Sequence, residues 1–481
     1  MSTQLLIIIV YFALTVAIGL YAQRKTKSSN SFHGAGLGVL MCVAAGTGEW
    51  LGGTSTTGVS EYGFEYGLSG AWYTIANGIG VIVLALFFAK LYRSLDTVTV
   101  PGIIEHFIGL DARVVSSILL TFVMIAVGVS QMIAAGTMGV SLLNLDFDIS
   151  VVIFGIGFII YTLAGGMTAV AYTNMLHLIA MYGGVLIAIF IATKDIGGIS
   201  GLFAALPAEP YGNMFSIGPS RVSSWIIASI LGACTAQAGI QPILAAKDVK
   251  VAKKAAIITA LVVAPFGLFT AMLGMAAKVN FPDLANAKLA LPTLMMSMSP
   301  VAGGIVLASI MAAILSTVSP IILASGTMIT KDIYQKKIKP QATDVEVLKM
   351  SRIFTAIAGV LCTLIAMLMY GSTRILDIVY FAYSIRGALF VVLLLGIYWE
   401  KTSQRGAIWG MLCTAAVGLF WVIYNSIYGH YPIHPAISET YAAVFTALVA
   451  TLVFSLLLKE KNPGATRRDI KSTLNFRNRQ R

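Results

Sequence analysis

Residues 44–70 read AAGTGEWLGGTSTTGVSEYGFEYGLSG, and the reading of this stretch decides the fold. Hydropathy places a membrane helix here, yet Gly46, Gly48, Gly52, Gly53 and Gly58 interrupt it. Thr47, Thr54, Ser55, Thr56 and Thr57 load it with hydroxyls, and Glu49 sets a carboxylate at membrane depth. A break in a helix frees backbone carbonyls. Within the hydrocarbon layer that is tolerated only where the backbone is buried in protein or lines a cavity. Secondary transporters build ion and solute sites near the bilayer midplane from such discontinuous helices.

Outward from this stretch the chain is apolar almost throughout. It has 481 residues, 58% hydrophobic and 11% charged, with a mean hydropathy of +0.86. A soluble protein carries roughly a quarter charged residues, so the composition describes an all-α polytopic membrane protein. Thirteen apolar spans are read at about 5–22, 37–60, 69–92, 114–142, 149–165, 173–193, 222–245, 255–277, 293–328, 351–370, 375–398, 406–426 and 440–458. The first lacks a basic segment ahead of its apolar run and reads as a helix rather than a cleaved leader. Cys42, Cys234, Cys362 and Cys413 lie in apolar segments without metal-ligand spacing and read as buried hydrophobes.

The charges sort by side. Of 32 Lys and Arg residues, all but Lys194, Arg221, Lys278, Lys288, Arg374 and Arg386 fall on alternate connections or on the tail at 459–481. This places the C-terminus in the cytoplasm, the N-terminus outside and the chain in the plasma (inner) membrane. It also accounts for the net charge of +12 without nucleic acid; the tail and the lysines at 247–254 face lipid headgroups and water. The connections hold no soluble catalytic domain. No Gly-Lys-Ser/Thr phosphate loop is present, which excludes an ATP-driven pump and leaves an ion gradient as the energy source. No compact nucleophile–base motif points to an enzyme.

Six motifs, in order over nearly the whole chain, resemble those of the sodium:solute symporter family. They are the broken span at 48–72, TVPGIIEHF at 99–107 and AGGMTAVAYTNMLH at 164–177. IQPILAAKDVKVAKKA at 240–255, AAILSTVSPIILASGTMITKDIY at 312–334 and GIYWEKTSQRGA at 396–407 complete the set. The resemblance implies a five-plus-five inverted-repeat core whose first helix is discontinuous. One helix precedes the core and two follow it. The domains would be 1–36, the core at 37–398, two further helices to 458 and the basic tail at 459–481. No organic cofactor is implied.

The resemblance also implies a sodium site between the first and eighth core helices. It would use the backbone carbonyls of Ala44, Thr47 and Ala313 and the hydroxyls of Ser316 and Thr317, oxygen ligands suited to a hard cation. Read from the residues alone, Ser316 and Thr317 could equally bond back to their own helix. Three positions depart from the family pattern. Gly102 stands where a Glu is usual. Asn174 replaces an Asp that relatives link to ion coupling, which weakens the case for a second sodium. His177 replaces a common Gln and reads as a helix–helix hydrogen-bonder rather than a proton relay.

Glu49 and Arg386 are the deepest ionisable residues and each needs a partner. They could pair with each other, Arg386 could cap freed carbonyls, or its planar fork could meet a solute carboxylate. In that last case Glu49 would hold a solute amine or strengthen the cation site. Trp50, Thr54, Ser229, Ala233, Gln237 and Gln241 are the other candidates for the solute cavity. Ser229 and Ala233 stand where the family's sugar carriers have bulkier polar and aromatic residues, which argues against a sugar. Tyr62, Tyr66, Trp72 and Tyr73 read as an interfacial aromatic belt, with an outer gate as the alternative. The expected function is sodium-coupled import of a small organic solute, preferably a carboxylate, amino acid or related organic acid. Proton coupling and a non-transporting sensor of the same fold are the rivals. The oligomeric state is left open.

Overall fold

The computed structural model describes residues 3–23, 36–95 and 97–458. The basic residues Arg24, Lys25 and Lys27 and the tail at 459–481 lie outside the described residues, as do the side chains at 164–169. Helices account for nearly all of the rest. They are α1 (Thr3–Gln23), α2 (Val39–Trp50), α3 (Val59–Tyr66), α4 (Trp72–Val83), α5 (Val100–Phe107) and α6 (Leu110–Leu143). Then come α7 (Phe147–Leu163) and α8 (Val170–Lys194), two arms of one helical backbone segment. The chain continues through α9 (Pro219–Ala233), α10 (Gln237–Ala245), α11 (Val249–Asn280), α12 (Ala290–Met296) and α13 (Pro300–Met328). It ends with α14 (Asp344–Met369), α15 (Ile375–Tyr398), α16 (Gln404–Tyr428) and α17 (Glu439–Leu457).

Ten described helices are long and apolar enough to cross a membrane, and three more are shorter. The expected count of about thirteen spans is not confirmed. The second expected span is cut in two: α2 stops at Trp50 and helix resumes, through the wide π-type turn Thr54–Gly58, into α3. The expected span at 293–328 divides into α12 and α13. Hydropathy averages over such breaks, because the residues at a break are as apolar as those beside it.

Two reversals keep the long helical stretches from overrunning the bilayer. At Gly67 the backbone takes φ +65°, and a side chain there would collide with the Tyr211 backbone. Between α7 and α8 the Tyr161 hydroxyl meets Thr173 Oγ1, twelve residues further on. On a straight helix those residues would stand roughly 18 Å apart at ~1.5 Å per residue, so the chain folds back between them.

A second break was not anticipated. Residues 222–245, read as one span, divide into α9 and α10 at 234–236, where Ala236 takes φ −71°, ψ 95°. The two broken helices meet at one end of the molecule. Leu37 N–H donates to the Ala245 carbonyl at 2.9 Å, and Lys247 N–H to the Leu37 carbonyl at 3.0 Å. The lysine-rich connections lie at this end, called the basic face below. Helix α13, with its continuation Ile329–Ile338, is the axis of the bundle: 94% of its apolar window is buried, against 33% for α14. Small residues allow a close crossing between α3 and α11. A Cβ on Gly63 of α3 would strike the Ala271 backbone of α11, and one on Gly274 the Ser60 carbonyl. In lipid, where apolar surface gains little from mutual burial, such close backbone packing is a principal source of helix association.

Gly274→Val is expected to destabilise by roughly 1–3 kcal/mol through overpacking, lowering the melting midpoint in detergent. Gly183→Val, at an exposed position with nothing within 4 Å of the added carbon, should leave it unchanged.

Candidate functional site

At the first break the backbone is met by oxygens and amides from three other helices. Leu51 N–H closes the last turn of α2 on the Thr47 carbonyl at 2.9 Å. The next carbonyl, that of Gly48, accepts from Thr317 Oγ1 and lies 3.4 Å from Ser316 Oγ. Ser316 Oγ is also 3.5 Å from the Leu51 carbonyl and 2.8 Å from that of Ala313. Five oxygens thus converge between α2 and α13: the Gly48, Leu51 and Ala313 carbonyls and the Ser316 and Thr317 hydroxyls. Ala313, Ser316 and Thr317 of the expected set supply three of these oxygens. The α2 carbonyls that meet them are those of Gly48 and Leu51, one helical turn beyond Ala44 and Thr47. The reason is that α2 remains helical through Trp50 and commits the Thr47 carbonyl to its own N–H ladder.

Only glycine fits this crossing. A Cβ on Gly48 would collide with the Asn174 amide, and one on Gly52 with Thr317 Oγ1. Asn174 Nδ2 donates to the Ser316 carbonyl at 3.3 Å, so this residue abuts the oxygen cluster. His177 lies elsewhere; its Nδ1 meets the Tyr11 hydroxyl at 2.5 Å and ties α8 to α1.

Beyond the break, Gln131 serves the freed backbone. Its Oε1 accepts from Gly53 N–H at 2.6 Å, and its Nε2 donates to Thr54 Oγ1 at 2.6 Å; Thr54 Oγ1 also lies 3.0 Å from Ser130 Oγ. Thr54 is therefore held by α6 rather than left open to a solute. The sequence reading passed over Gln131, although a single side-chain amide inside the apolar span at 114–142 is the signal that would have found it.

Glu49 and Arg386 come together with Trp50 at the centre. Glu49 is 4% exposed and Arg386 fully buried. The Arg386 guanidinium carbon sits 3.8 Å from the Tyr383 ring centre and 5.4 Å from that of Trp50. None of its three nitrogens has a hydrogen-bond partner, and neither does Glu49 Oε2. The two charges make no ion pair, although Glu49 feels the field of Arg386. Ser229 is buried on α9. Ala233 closes α9 at the second break, next to Thr235, whose Oγ1 donates to the Arg386 carbonyl at 2.6 Å. Gln241 is buried on α10. Gln237 is not at this centre: its Oε1 accepts from Val100 N–H at 2.7 Å and its Nε2 donates to the Val98 carbonyl at 3.1 Å, pinning the start of α5.

On the face opposite the basic one lies a cavity of about 850 Å³, lined by Glu61, Glu65, Arg221, Arg374, Asp377 and Tyr380 among others. Arg221 pairs with Asp377 and with the Tyr62 hydroxyl, and Arg374 with Glu65 and Tyr66. Its floor is Trp225 stacked on Tyr380, rings 4.2 Å apart and 9° from parallel. None of the expected solute residues lines this cavity. The belt reading of the aromatics fails for Tyr62 and Tyr73, which are buried, Tyr73 Oη lying 3.1 Å from Tyr383 Oη. They cannot reach headgroups because α3 and α4 turn these faces inward.

The basic face carries a network the sequence reading did not single out, although Thr99, Glu105 and Asp332 fall in two of the quoted motifs. Asp332 accepts from Thr99 Oγ1 at 2.7 Å and from Arg113 Nε at 2.8 Å. Arg113 also pairs with Glu105, which Lys336 approaches at 3.5 Å. Burial alone would raise the Glu105 carboxyl, but Arg113 and Lys336 outweigh it and hold the group below the usual carboxylate range. It is therefore charged at neutral pH.

With two broken helices facing each other, an oxygen cluster at the first break and ion pairs on both faces, the architecture is that of an ion-coupled carrier. A profile of the sodium:solute symporter family matches residues 32–414. The chain belongs to this family. Symporters similar to it include the sodium/glucose cotransporter 4 of Danio rerio, 27% identical, covering 89% of this chain and 73% of the relative. The osmoregulated proline transporter OpuE of Bacillus subtilis is 26% identical, covering 88% and 89%. The human sodium/myo-inositol cotransporter 2 is 25% identical, covering 88% and 70%. The solved structure of a sodium-coupled sialic acid symporter in a substrate-bound outward-open state superposes with a TM-score of 0.79 at 18% identity, covering 95% of this chain and 99% of that one. The symporter fold is thus the inverted-repeat one, α2–α3 and α9–α10 being its two discontinuous helices.

In this symporter, Ser316→Ala or Thr317→Ala is expected to weaken sodium binding ten- to a hundredfold, about 1.5–3 kcal/mol for a lost contact to a charged group. Gly52→Ala, which drives a methyl into Thr317, should do the same without removing an oxygen. Sodium titration of tryptophan fluorescence in the folded variants checks both.

Proposed function

We propose that the protein imports a small organic acid or amino acid together with sodium by alternating access. The single observation behind the ion is the cluster of five oxygens at the α2 break, of the kind a hard cation prefers. Sodium there would bridge α2 and α13, holding the Gly48 and Leu51 carbonyls against Ser316 and Thr317 and fixing the break beside Glu49 and Trp50. Solute binding at that ordered break would then be coupled to sodium binding, and by linkage each would tighten the other.

The solute is assigned through Arg386. A buried guanidinium with no hydrogen-bond partner costs several kcal/mol, and a carboxylate accepted by its fork would offset this. A sugar would leave that charge unmatched. The orientation proposed has the basic face in the cytoplasm, with the 850 Å³ cavity as the entry from outside. The core at 37–398 would carry transport, and the two helices that follow would support it. Proton coupling is less favoured, since Asn174 carries no titrating proton and His177 is engaged by Tyr11.

In proteoliposomes, uptake of a labelled carboxylate or amino acid is expected to follow an inward sodium gradient and to stop when potassium replaces sodium at equal ionic strength. Uptake that persists in potassium and follows a pH gradient would establish proton coupling instead.

A further inference from the structure

Arg386 and Glu49 have been treated so far as a carboxylate site and its neighbour. Their common environment carries a narrower conclusion, which rests on the symport reading above. We propose that Glu49 and Arg386 form one dipolar recognition site whose solute is a compact zwitterion, its ammonium on Glu49 and its carboxylate on Arg386.

Charge balance is the first reason. Each side chain is buried, and each leaves polar atoms without partners: Oε2 of Glu49, and Nε, Nη1 and Nη2 of Arg386. Other buried side chains also leave polar atoms unpartnered, but these two residues are of opposite sign, and an ionisable group left unmatched in the interior costs more than a hydroxyl or amide. The two do not satisfy each other, since no ion pair joins them. The site thus holds one acidic and one basic group that do not meet each other. A monocarboxylate would match Arg386 and leave Glu49 buried and unmatched. An amine would do the reverse, and a sugar would leave both. A solute carrying both charges matches both, and discrimination of this kind comes as much from the unmatched charge as from the matched one.

Position is the second reason. Glu49 follows Gly48 in the chain, whose carbonyl belongs to the oxygen cluster, so its carboxylate is fixed by the same turn that would take sodium. Arg386 lies against the second break, where a Cβ on Gly232 would come within 3.0 Å of its Nε and where Thr235 holds its carbonyl. A solute bridging the two side chains therefore bridges the two discontinuous helices.

The aromatic surroundings are the third. The guanidinium already occupies the faces of Tyr383 and Trp50. An open cage for a quaternary ammonium is not what these rings offer, so the cationic end must be an N–H donor to Glu49. The route inward is short. Tyr380, in the floor of the outer cavity, is in ring contact with Tyr383 at 5.8 Å, and Tyr383 carries Arg386.

The test uses the purified full-length protein, with sodium-dependent thermal stabilisation and fluorescence as readouts. The probes are the standard amino acids, each paired with its deaminated acid, together with glycine betaine, glucose and myo-inositol. At least one amino acid is expected to stabilise the protein in sodium, its deaminated acid binding at least about a hundredfold more weakly because a charged group is left unmatched. Glycine betaine should be weaker than the matched N–H-bearing amino acid. Glu49→Gln and Arg386→Gln, each shown to be folded by its thermal transition, should abolish the amino acid response. Glu49→Gln, with a net positive site, should gain response to the deaminated acid. The proposal is overturned if the deaminated acid or a sugar binds as well as any amino acid, if no amino acid responds while sodium does, or if Glu49→Gln leaves amino acid affinity unchanged. If the wild-type protein shows no response to sodium at all, the symport reading fails instead, and the comparison of each amino acid with its deaminated acid still judges the dipolar site.

Discussion

A carbonyl released from its helix inside a membrane must find a donor or a cation, because no water is there to serve it. At residues 51–53 this requirement shapes everything nearby. Gln131 reaches from α6 to the Gly53 N–H, Thr317 reaches from α13 to the Gly48 carbonyl, and Ser316 lies between the Gly48, Leu51 and Ala313 carbonyls. Helices α6 and α13 are fastened to one break by these contacts, and α13 is the most enclosed of the ten long apolar helices described. The hydroxyls that now bond to freed carbonyls are the same groups that would turn their lone pairs to an ion. A site of this kind is stable without the ion and ready for it.

The distribution of charge follows the same economy. The described ion pairs stand at the two faces: Arg113 with Asp332 and Glu105 on the basic one, Arg221 with Asp377 and Arg374 with Glu65 on the other. Between them, among the described residues, Glu49 and Arg386 are ionisable groups left unmatched at the centre. Ion pairs at the faces can hold either end shut and can be exchanged for water when that end opens. Such exchange is not available at the centre, where matching must come from within the protein or from what it carries. Trp225 stacked on Tyr380 lies on one side of the centre and the Asp332 network on the other.

Departures from the family pattern become physical once the neighbours are known. Gly102 stands where a Glu is usual, and here any Cβ at that position would strike Thr97 Oγ1, while Gly102 N–H donates to the Thr99 cap at 3.1 Å. Asn174, in place of an Asp, turns an N–H toward the Ser316 carbonyl. A carboxylate could not donate that bond, so the amide supplies in fixed form a contact that an acid at this position would make only when protonated or through a cation.

The sequence by itself determined the membrane class, the charge asymmetry, the family, the first break and the α13 half of the oxygen cluster. Each of these is carried by local composition or by motifs whose spacing survives in one dimension. It did not determine which turn of α2 releases its carbonyls, because that depends on how far the helix persists, a balance struck by Thr317 and Gln131 from distant segments. The second break at 234–236 was likewise invisible, since Cys234, Thr235 and Ala236 are ordinary residues of an apolar span and only tertiary partners make their separation from the helix tolerable. Gln237 looked like a solute ligand and is a loop clamp for the same reason. That Glu49 and Arg386 lie together unpaired is also a fact of packing. Hydropathy records that a charge is buried, and only the folded chain decides what is left beside it.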